Sequence, residues 1–384
     1  MLVVAPRLGM WVVGGLIVVA VVAFACAPVL LSHDAFSYVD YARLGVKHGL
    51  DPYVNAPEAA PTDPAFAHVT WTETPSAYGP LFTIATYPLA WLPVWAAIAV
   101  LKAVAAISVL GLAWVVSRLA AWRGVDESQA AAFVALNPLV LVHVVGGAHN
   151  DGLAMFLAML GVAALVIRRE ASSGAFLVAS AAIKSSSLFV APFAFVEAIR
   201  ESRPPRPLTP AAATTAGALP PSPDQKHQWQ LGFRSGDGGA SPVVRLAGGA
   251  LAAAVVFVVV GWVAFAWHWL HAFGLAGENQ GRTSHLSIPV TFARLTGIDE
   301  SAVRVAALVL FGVAVVWLLV KTWQGFDWIR AAAWAGFGLL LATSWLLPWY
   351  LVWPLPLVAV ARDRRLAILL LALTAYQLGA RIPL

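Results

Sequence analysis

The amino-acid sequence predicts an all-α polytopic membrane protein, and three observations support this fold class. First, 60% of the 384 residues are hydrophobic and 11% are charged, whereas soluble domains average about 45–50% and about 25%. Second, the apolar residues form solid Ala/Val/Leu runs, many of them near the roughly 20 residues that a spanning helix needs. Third, these runs lack the alternation of barrel strands. We therefore expect a bundle of about 10–12 transmembrane helices.

Charge and cysteine content narrow the possible functions. The net charge of +5 comes from arginines at short loops, which set membrane orientation. No basic tract with interleaved aromatic residues stands outside the apolar runs, so we expect no nucleic-acid partner. The single cysteine, Cys26, lies inside the first run, which excludes an intrachain disulfide and a cysteine-based metal cluster. We expect neither a metal nor a cofactor.

The first apolar run, residues 8–31, predicts an uncleaved transmembrane helix. It is too long for the apolar part of a signal peptide and continues past Cys26 with more Val and Leu. Because basic loop residues favour the cytoplasm, Arg7 directs this helix outward and leaves residues 32–77 outside. Residues 35–48 of this first extracytoplasmic loop are predicted as a helix that ends at Gly49.

The later runs predict further helices in order. Residues 80–92 lie between two prolines and predict a short interfacial or re-entrant helix. Residues 174–199 carry Lys184 near their middle and Arg200 just after them. Two half-length helices that meet at Lys184 keep Arg200 cytoplasmic, so we predict a hairpin there. The other predicted spans are 94–117, 128–145, 152–167, 246–267, 302–320, 329–346, 351–361 and 366–378. With these spans every arginine-rich loop is cytoplasmic.

A change of composition divides the chain. Residues 201–244 contain Pro-Pro and Gly-Gly pairs with scattered Ser and Thr, a composition that cannot build a core. We predict a disordered cytoplasmic linker at 201–244, between an N-terminal transmembrane catalytic module at 1–200 and a C-terminal transmembrane module at 245–384.

Asp34 stands three residues past the first run, in a chain with 19 Asp and Glu. Aspartate is a favoured N-cap, and a helix is predicted directly after it. A carboxylate at the membrane interface can also accept the proton of an attacking hydroxyl. These two roles are compatible, and both are kept as hypotheses.

His149, Asn150 and Asp151 join two predicted spans on the same side as Asp34. Helix capping explains Asn150 and Asp151, but it does not explain a histidine at this depth. A metal site is the weaker alternative, because a His and an Asp provide only two ligands.

Lys184 is a cation within an apolar segment, which costs about 2.5–3.5 kcal/mol on insertion scales and indicates function. Snorkelling of the side chain to the interface is the alternative. If the helix breaks here, the ammonium and the hydroxyls of Ser185, Ser186 and Ser187 suit a phosphate.

Two further segments are predicted on the outer face. Residues 280–285 add Arg282 and His285 on a loop, which is either a solvated loop or part of a site. Two cations from distant parts of the chain favour an anionic ligand. Residues 345–356 are rich in Trp, Tyr and Pro, including Trp349 and Tyr350. They predict an aromatic belt or, because of the prolines, a broken helix.

In order along the chain, these residues resemble GT-C glycosyltransferases, and most closely the actinobacterial polyprenol-phosphate-mannose-dependent α-1,6-mannosyltransferases. The resemblance covers the whole chain except the linker. It rests on Asp34, Gly-Leu-Asp-Pro-Tyr at 49–53, Tyr-Gly-Pro-Leu at 78–81, Asn-Pro-Leu at 137–139, Gly-Gly-Ala-His-Asn-Asp at 146–151, Lys184, and Pro-Trp-Tyr-Leu-Val-Trp-Pro at 348–354.

The resemblance implies an inverting enzyme of the plasma membrane. It would transfer a hexose, expected to be mannose, from a polyprenyl-phosphate donor to a lipid-linked glycan on the extracytoplasmic side, without a required metal. Asp34 would be the general base, and Lys184 and Arg282 would bind the donor phosphate. The expected partners are the donor, the acceptor and membrane lipids. The residues expected in the substrate cleft are His33, Tyr78, His149, Asn150, Asp151, His285, Trp349 and Tyr350.

A polytopic transporter or flippase for a lipid-linked sugar is the alternative function. Such proteins more often show internal repeats and charges near the midplane of several helices. The sequence shows no repeat and one such charge, Lys184, so the enzyme is the preferred hypothesis. A structural assembly subunit would not need Asp34, Lys184 and Arg282 on one face.

Overall fold

The computed structural model describes residues 5–203 and 239–380. Over these ranges the chain consists of helices, turns and short 3₁₀ or π-helical segments, with no strand. The prediction of an all-α polytopic membrane protein is confirmed. The α-helices described are α1 (Ala5–Cys26), α2 (Asp34–His48), α3 (Pro80–Thr86), α4 (Val94–Trp122), α5 (Glu127–Ala135), α6 (Asp151–Val166), α7 (Glu170–Ile183), α8 (Ala191–Glu201), α9 (Pro242–Phe265), α10 (His271–Gly281), α11 (Ile288–Thr296), α12 (Glu300–Trp323), α13 (Trp328–Ala342), α14 (Leu355–Val360) and α15 (Arg364–Gly379).

Four of the described helices are long and apolar enough to cross a membrane by length and composition. They are α1, α4, α9 and α12, with 22 to 29 residues each. Shorter apolar segments accompany them at Asp151–Val166, Glu170–Ile183, Trp328–Ala342 and Pro348–Val360. The total of about 10–12 transmembrane helices stays a prediction, because the shorter segments fall below the length of a full span.

Several helix ends lie where the sequence predicts them. Gly49 follows α2 with a φ of +66° and donates its N–H to Leu44 O, the left-handed C-cap that glycine favours. The stretch at 80–92 is α3 followed by a 3₁₀ turn at Tyr87–Trp91. The break at Lys184 is also present, since α7 ends at Ile183 and Lys184 is extended, with φ −151° and ψ 117°. A 3₁₀ segment, Ser185–Val190, then leads into α8.

Two predicted spans are wrong as continuous helices. The run at 128–145 divides into α5 and a π-helical segment, Val140–Val145. Pro138 disfavours helical geometry at Asn137, and the Asn137 side chain instead accepts a hydrogen bond from Leu139 N. The run at 351–361 divides likewise into a 3₁₀ turn, Pro348–Val352, and α14, because prolines remove backbone donors there.

The predicted linker at 201–244 falls mostly on residues 204–238, which lie outside the described residues. At its edges, Glu201 is the last residue of α8, and residues 242–244 are the first turn of α9. The helical structure therefore extends a few residues into both ends of the predicted linker.

Small residues bring the helices on either side of this linker together. A Cβ atom at Gly174 of α7 would lie 2.1 Å from Leu246 O, and one at Gly249 of α9 would lie 1.9 Å from Ala171 O. Only glycine permits such a close approach of two backbones, as in membrane helix pairs with small residues at their interface. This contact joins the N-terminal helices to α9.

A buried lysine fixes the chain between α1 and α2. Lys102, within α4, donates to the carbonyl oxygens of Ala27 and, at 3.2 Å, of Pro28. An ammonium group satisfies the free carbonyls at a helix C-terminus and is favoured by the helix dipole. Lys102 thereby holds the short connection that leads to Asp34.

Candidate active site

Asp34 is the first residue of α2, and its carboxylate is held by a tryptophan. Trp71 Nε1 donates to Asp34 Oδ1 at 3.0 Å, and the N-cap position of α2 belongs to His33, not to Asp34. The predicted N-cap role of Asp34 is therefore wrong. An acidic group in the first turn is still favoured by the helix dipole, but the specific partner of Asp34 comes from the loop that follows α2.

Asp151 forms a buried ion pair with Lys184. Lys184 Nζ donates to Asp151 Oδ2 at 2.7 Å, and Trp353 Nε1 donates to Oδ1 at 2.7 Å. The Asp151 side chain is 0% exposed and the Lys184 side chain 19%. Asn150 takes the predicted N-cap position of α6, but its side chain makes no cap hydrogen bond, and Asp151 is the first residue of the helix rather than its cap. The two partners compensate each other's charge at a depth where an unpaired charge is costly.

His149 lies between the two aspartates. Its Nδ1 atom is 3.6 Å from Asp34 Oδ2 and 3.9 Å from Asp151 Oδ2. The imidazole stacks on Trp349, with ring centroids 4.0 Å apart and an angle of 26°. The preceding residue, Ala148, has a φ of +53°, a left-handed conformation that is strained for alanine.

Burial lowers the pKa of His149, the negative charges of Asp34 and Asp151 oppose this effect, and Lys184 adds to it. Desolvation disfavours the charged imidazolium. The ring at neutral pH is therefore uncharged, with one nitrogen able to accept a proton.

A cavity of about 310 Å³ lies beside these residues. It brings together Asp34, Lys184 and Arg282, which the sequence places far apart. The complete lining is Asp34, Tyr41, Trp71, Thr74, Pro75, Ala77, Tyr78, Lys184, Ser185, Ser186, Arg282, Leu339, Thr343, Trp345, Leu347, Trp349, Tyr350 and Trp353.

Arg282 reaches the cavity from the segment after α10. Its guanidinium lies 4.9 Å from the ring centroid of Trp71 and 5.3 Å from that of Trp345, distances at which a cation is attracted to an aromatic face. The segment is tied to the end of α13 by a backbone hydrogen bond from Ser284 N to Ser344 O, 2.9 Å long. The two indole rings and this bond fix the cation at the rim.

Some of the predicted cleft residues lie elsewhere. His33 is exposed and packs edge-on against Phe36, and His285 is exposed on the segment before α11. Asn150 is buried behind the cavity, as are His149 and Asp151. Of the three serines after Lys184, the third turns away from the cavity, because Ser187 Oγ donates to Lys184 O at 2.9 Å.

Trp71 and Tyr41 are the residues of the site that sequence reasoning missed. Tyr41 Oη donates to Thr74 O at 2.7 Å and so secures the loop that carries Trp71. A tryptophan in a loop without an apolar run is a usable signal, because such a large ring is rarely placed in solvent. Trp353, interpreted with its neighbours as part of an aromatic belt or broken helix, is instead a donor to Asp151.

No group of three or more His, Cys, Asp or Glu side chains in the part of the chain that the structure describes could hold a metal ion. The expectation that the site works without a metal stays a prediction.

Comparison with known proteins identifies a family. The profile of a family described as "Alpha-(1->6)-mannopyranosyltransferase, N-terminal domain" matches residues 7–200. That range includes Asp34, Trp71, His149, Asp151 and Lys184, whereas the segment with Arg282 lies beyond it.

Individual relatives carry the same description over shorter ranges. An alpha-(1->6)-mannopyranosyltransferase of Mycobacterium tuberculosis is 35% identical over 146 residues, which is 35% of this chain and 24% of that protein. Alpha-(1->6)-mannopyranosyltransferase A of the same organism is 31% identical over 205 residues, 50% of this chain and 40% of its own length. Its namesake in Corynebacterium glutamicum is 25% identical over 185 residues, 45% of this chain and 36% of its own.

The matched segments therefore span two fifths or less of these three relatives. No solved structure matches the chain.

Proposed function

Since the chain belongs to the alpha-(1->6)-mannopyranosyltransferase family, we propose that it transfers mannose from a polyprenyl-phosphate donor to a lipid-linked glycan. We place the reaction on the extracytoplasmic face of the plasma membrane, because the loop charges predict that residues 32–77, which include Asp34 and Trp71, lie outside. The observation that supports the proposal best is the cavity that joins one carboxylate, Asp34, to two cations, Lys184 and Arg282.

In this proposal Asp34 is the general base. Its Oδ1 atom is held by Trp71, which fixes the direction of the carboxylate beside the cavity. A hydroxyl of the acceptor that donates to this carboxylate becomes a nucleophile as its proton is removed. It attacks the anomeric carbon on the side opposite to the phosphate, so the configuration at that carbon inverts.

The donor phosphate is bound mainly by Arg282. A guanidinium offers a planar fork of N–H donors that matches phosphate oxygens, and this fork already lies against two indole rings. Lys184 has three N–H donors, of which Asp151 takes one at 2.7 Å. The others remain available on the cavity side, so Lys184 is the secondary ligand of the phosphate.

The sugar ring is bound by the aromatic lining. The cavity is lined by four aromatic side chains, those of Trp71, Trp345, Trp349 and Tyr350. Rigid aromatic rings provide large contact faces with polar edges. Cavities of this composition, mostly apolar with a few convergent polar groups, are typical of small-molecule sites.

The test uses membranes that contain the full chain, labelled polyprenyl-phosphate mannose and a short mannan acceptor, followed by linkage analysis of the product. Asp34→Asn keeps a side chain of the same shape but removes the base, so transfer should fall at least about 100-fold while the protein still accumulates. Glu73→Gln is the matched control, because Glu73 is exposed in the same loop and outside the cavity.

Unchanged transfer by Asp34→Asn would remove the general-base role. The face is tested separately with intact spheroplasts and an acceptor that cannot cross the membrane. Product formed in intact cells supports an extracytoplasmic site, and product formed only after lysis contradicts it.

A further inference from the structure

We propose that His149 takes up the proton that Asp34 removes from the acceptor, acting behind the cavity through Asp34 rather than on the substrate. This inference rests on the proposed function and assigns a role to a residue that does not line the cavity. His149 is thus a positioning and proton-holding residue for the base.

The first observation is the placement of a single ring nitrogen between two carboxylates. His149 Nδ1 is 3.6 Å from Asp34 Oδ2 and 3.9 Å from Asp151 Oδ2. Trp71 occupies the other oxygen of Asp34, so Oδ2 is the atom that faces the imidazole. Catalytic hydrogen bonds are often longer than ideal before the substrate binds and tighten in the reacting complex.

The second observation is that both ring nitrogens of His149 are buried without a hydrogen-bond partner among residues 5–203 and 239–380. Buried polar atoms are nearly always bonded, and a group that is not requires an explanation. A nitrogen that must accept a proton during the reaction has to be unblocked, and Nδ1 meets that condition in the tautomer that carries the ring proton on Nε2.

The third observation is that the ring is held rigidly. Trp349 stacks on one face at 4.0 Å, and a Cβ atom at Gly147 would lie 3.1 Å from His149 Cδ2. Glycine at 147 therefore leaves just enough space for the imidazole. A fixed ring keeps Nδ1 directed at the carboxylates, which is the preorganisation that proton transfer requires.

The charged groups around His149 come from three elements. Asp34 lies on α2, Asp151 on α6, and Lys184 at the break after α7. The segment Val140–Val145 contributes His143, which lies against the same Trp349 ring at 5.7 Å. Burial disfavours an imidazolium at this position and Lys184 adds to that effect, whereas the two carboxylates stabilise it.

The acceptor O–C1 bond forms, the C1–O bond to phosphate breaks, and its electron pair leaves with the phosphate. The acceptor proton moves to Asp34 Oδ2 and then to His149 Nδ1. The transfer leaves Asp34 ionised, so the two groups then form an ion pair across the 3.6 Å between Nδ1 and Oδ2. Water that enters as the products leave takes the proton, and one proton is released for each sugar transferred.

His149→Asn tests this role, because the asparagine amide places a donor near the position of Nδ1 but cannot take up a proton. We expect kcat at pH 7 to fall about 100-fold or more, with the donor KM unchanged. The rate of this variant should rise with pH as hydroxide replaces the imidazole, whereas the wild-type rate stays level above neutral pH. His33→Asn is the control, since His33 is an exposed histidine next to Asp34 and outside the cavity.

The result that overturns the proposal is a kcat and pH profile of His149→Asn equal to those of the wild type, or a loss confined to KM. If this variant does not accumulate, His149→Gln replaces it, because it is equally unable to take a proton. Wild-type membranes that transfer no mannose would instead overturn the proposed function and this inference with it. Active wild type with fully active His149→Asn overturns the inference alone.

Discussion

Replacing Lys184 by methionine separates the structural role of the Lys184–Asp151 ion pair from its role toward the donor. Methionine keeps most of the apolar stem of lysine and removes the ammonium. Asp151, 0% exposed, then retains a single hydrogen bond, the one from Trp353 at 2.7 Å. Lys184→Met therefore leaves a buried carboxylate without a compensating charge.

The loss of stability expected for Lys184→Met depends on how deeply the two partners are buried. Breaking a buried ion pair by removing one member costs about 3–5 kcal/mol. The lower end applies here, because the Lys184 side chain is 19% exposed and Trp353 still binds Asp151. With an unfolding entropy of about 2.1 cal/mol/K per residue, about 3 kcal/mol in a chain of 384 residues corresponds to roughly a 4 °C fall in Tm.

The assay is thermal unfolding of the purified full chain in detergent. The double variant Lys184→Met/Asp151→Asn removes both charges and keeps an acceptor for Trp353, so its Tm should return to within about 1–2 °C of the wild type. The donor KM should be raised in both the single and the double variant, since both lack the ammonium that is proposed as the second phosphate ligand. Lys47→Met is the matched control, because Lys47 is exposed. If Lys184→Met alone were as stable as the wild type, the ion pair would not stabilise the fold as described.

Two other predictions concern α2 and the loop that follows it. Trp71→Phe removes the donor to Asp34 Oδ1 but keeps an aromatic face. We therefore expect kcat to fall about 10-fold with little change in KM. Equal kcat values for the variant and the wild type in the transfer assay would contradict this. Burial, together with the charge of Asp63, raises the pKa of Asp40 to about 7, so the folded chain loses stability as pH rises from about 4 to 7. Asp40→Asn should therefore raise Tm at pH 8 and have little effect near pH 4, and an effect that is equal at both pH values would show that Asp40 ionises normally.

The sequence predicted those parts of the site that depend on local physics. A lysine in an apolar segment indicates a functional break, and the backbone of Lys184 is indeed extended between α7 and a 3₁₀ segment. The predicted topology placed Lys184 and Arg282 on the same face of the membrane as Asp34. All three residues line the cavity. Both predictions need only hydropathy, loop charge and helix geometry.

The capping predictions for Asp34 and Asp151 failed because distant residues provide better partners than the local backbone. Trp71 is 37 positions from Asp34, and Trp353 is 202 positions from Asp151. A local pattern cannot show which indole reaches which carboxylate, since that depends on how the helices pack. The same holds for His149, whose position between two aspartates depends on where the first residues of α2 and α6 lie in the fold.

The charges around the cavity explain how the proposed reaction avoids creating net charge in a poorly solvated site. Lys184 and Asp151 neutralise each other at 2.7 Å, which leaves Asp34 and Arg282 as opposite charges facing one cavity. A phosphodiester donor brings one negative charge, and cleavage at the anomeric carbon gives the phosphate a second. In the same step Asp34 becomes neutral, so negative charge moves from the base toward Arg282. Under the proposed mechanism Arg282 would attract the doubly charged phosphate more than the donor, and it would lower the barrier as well as bind the substrate.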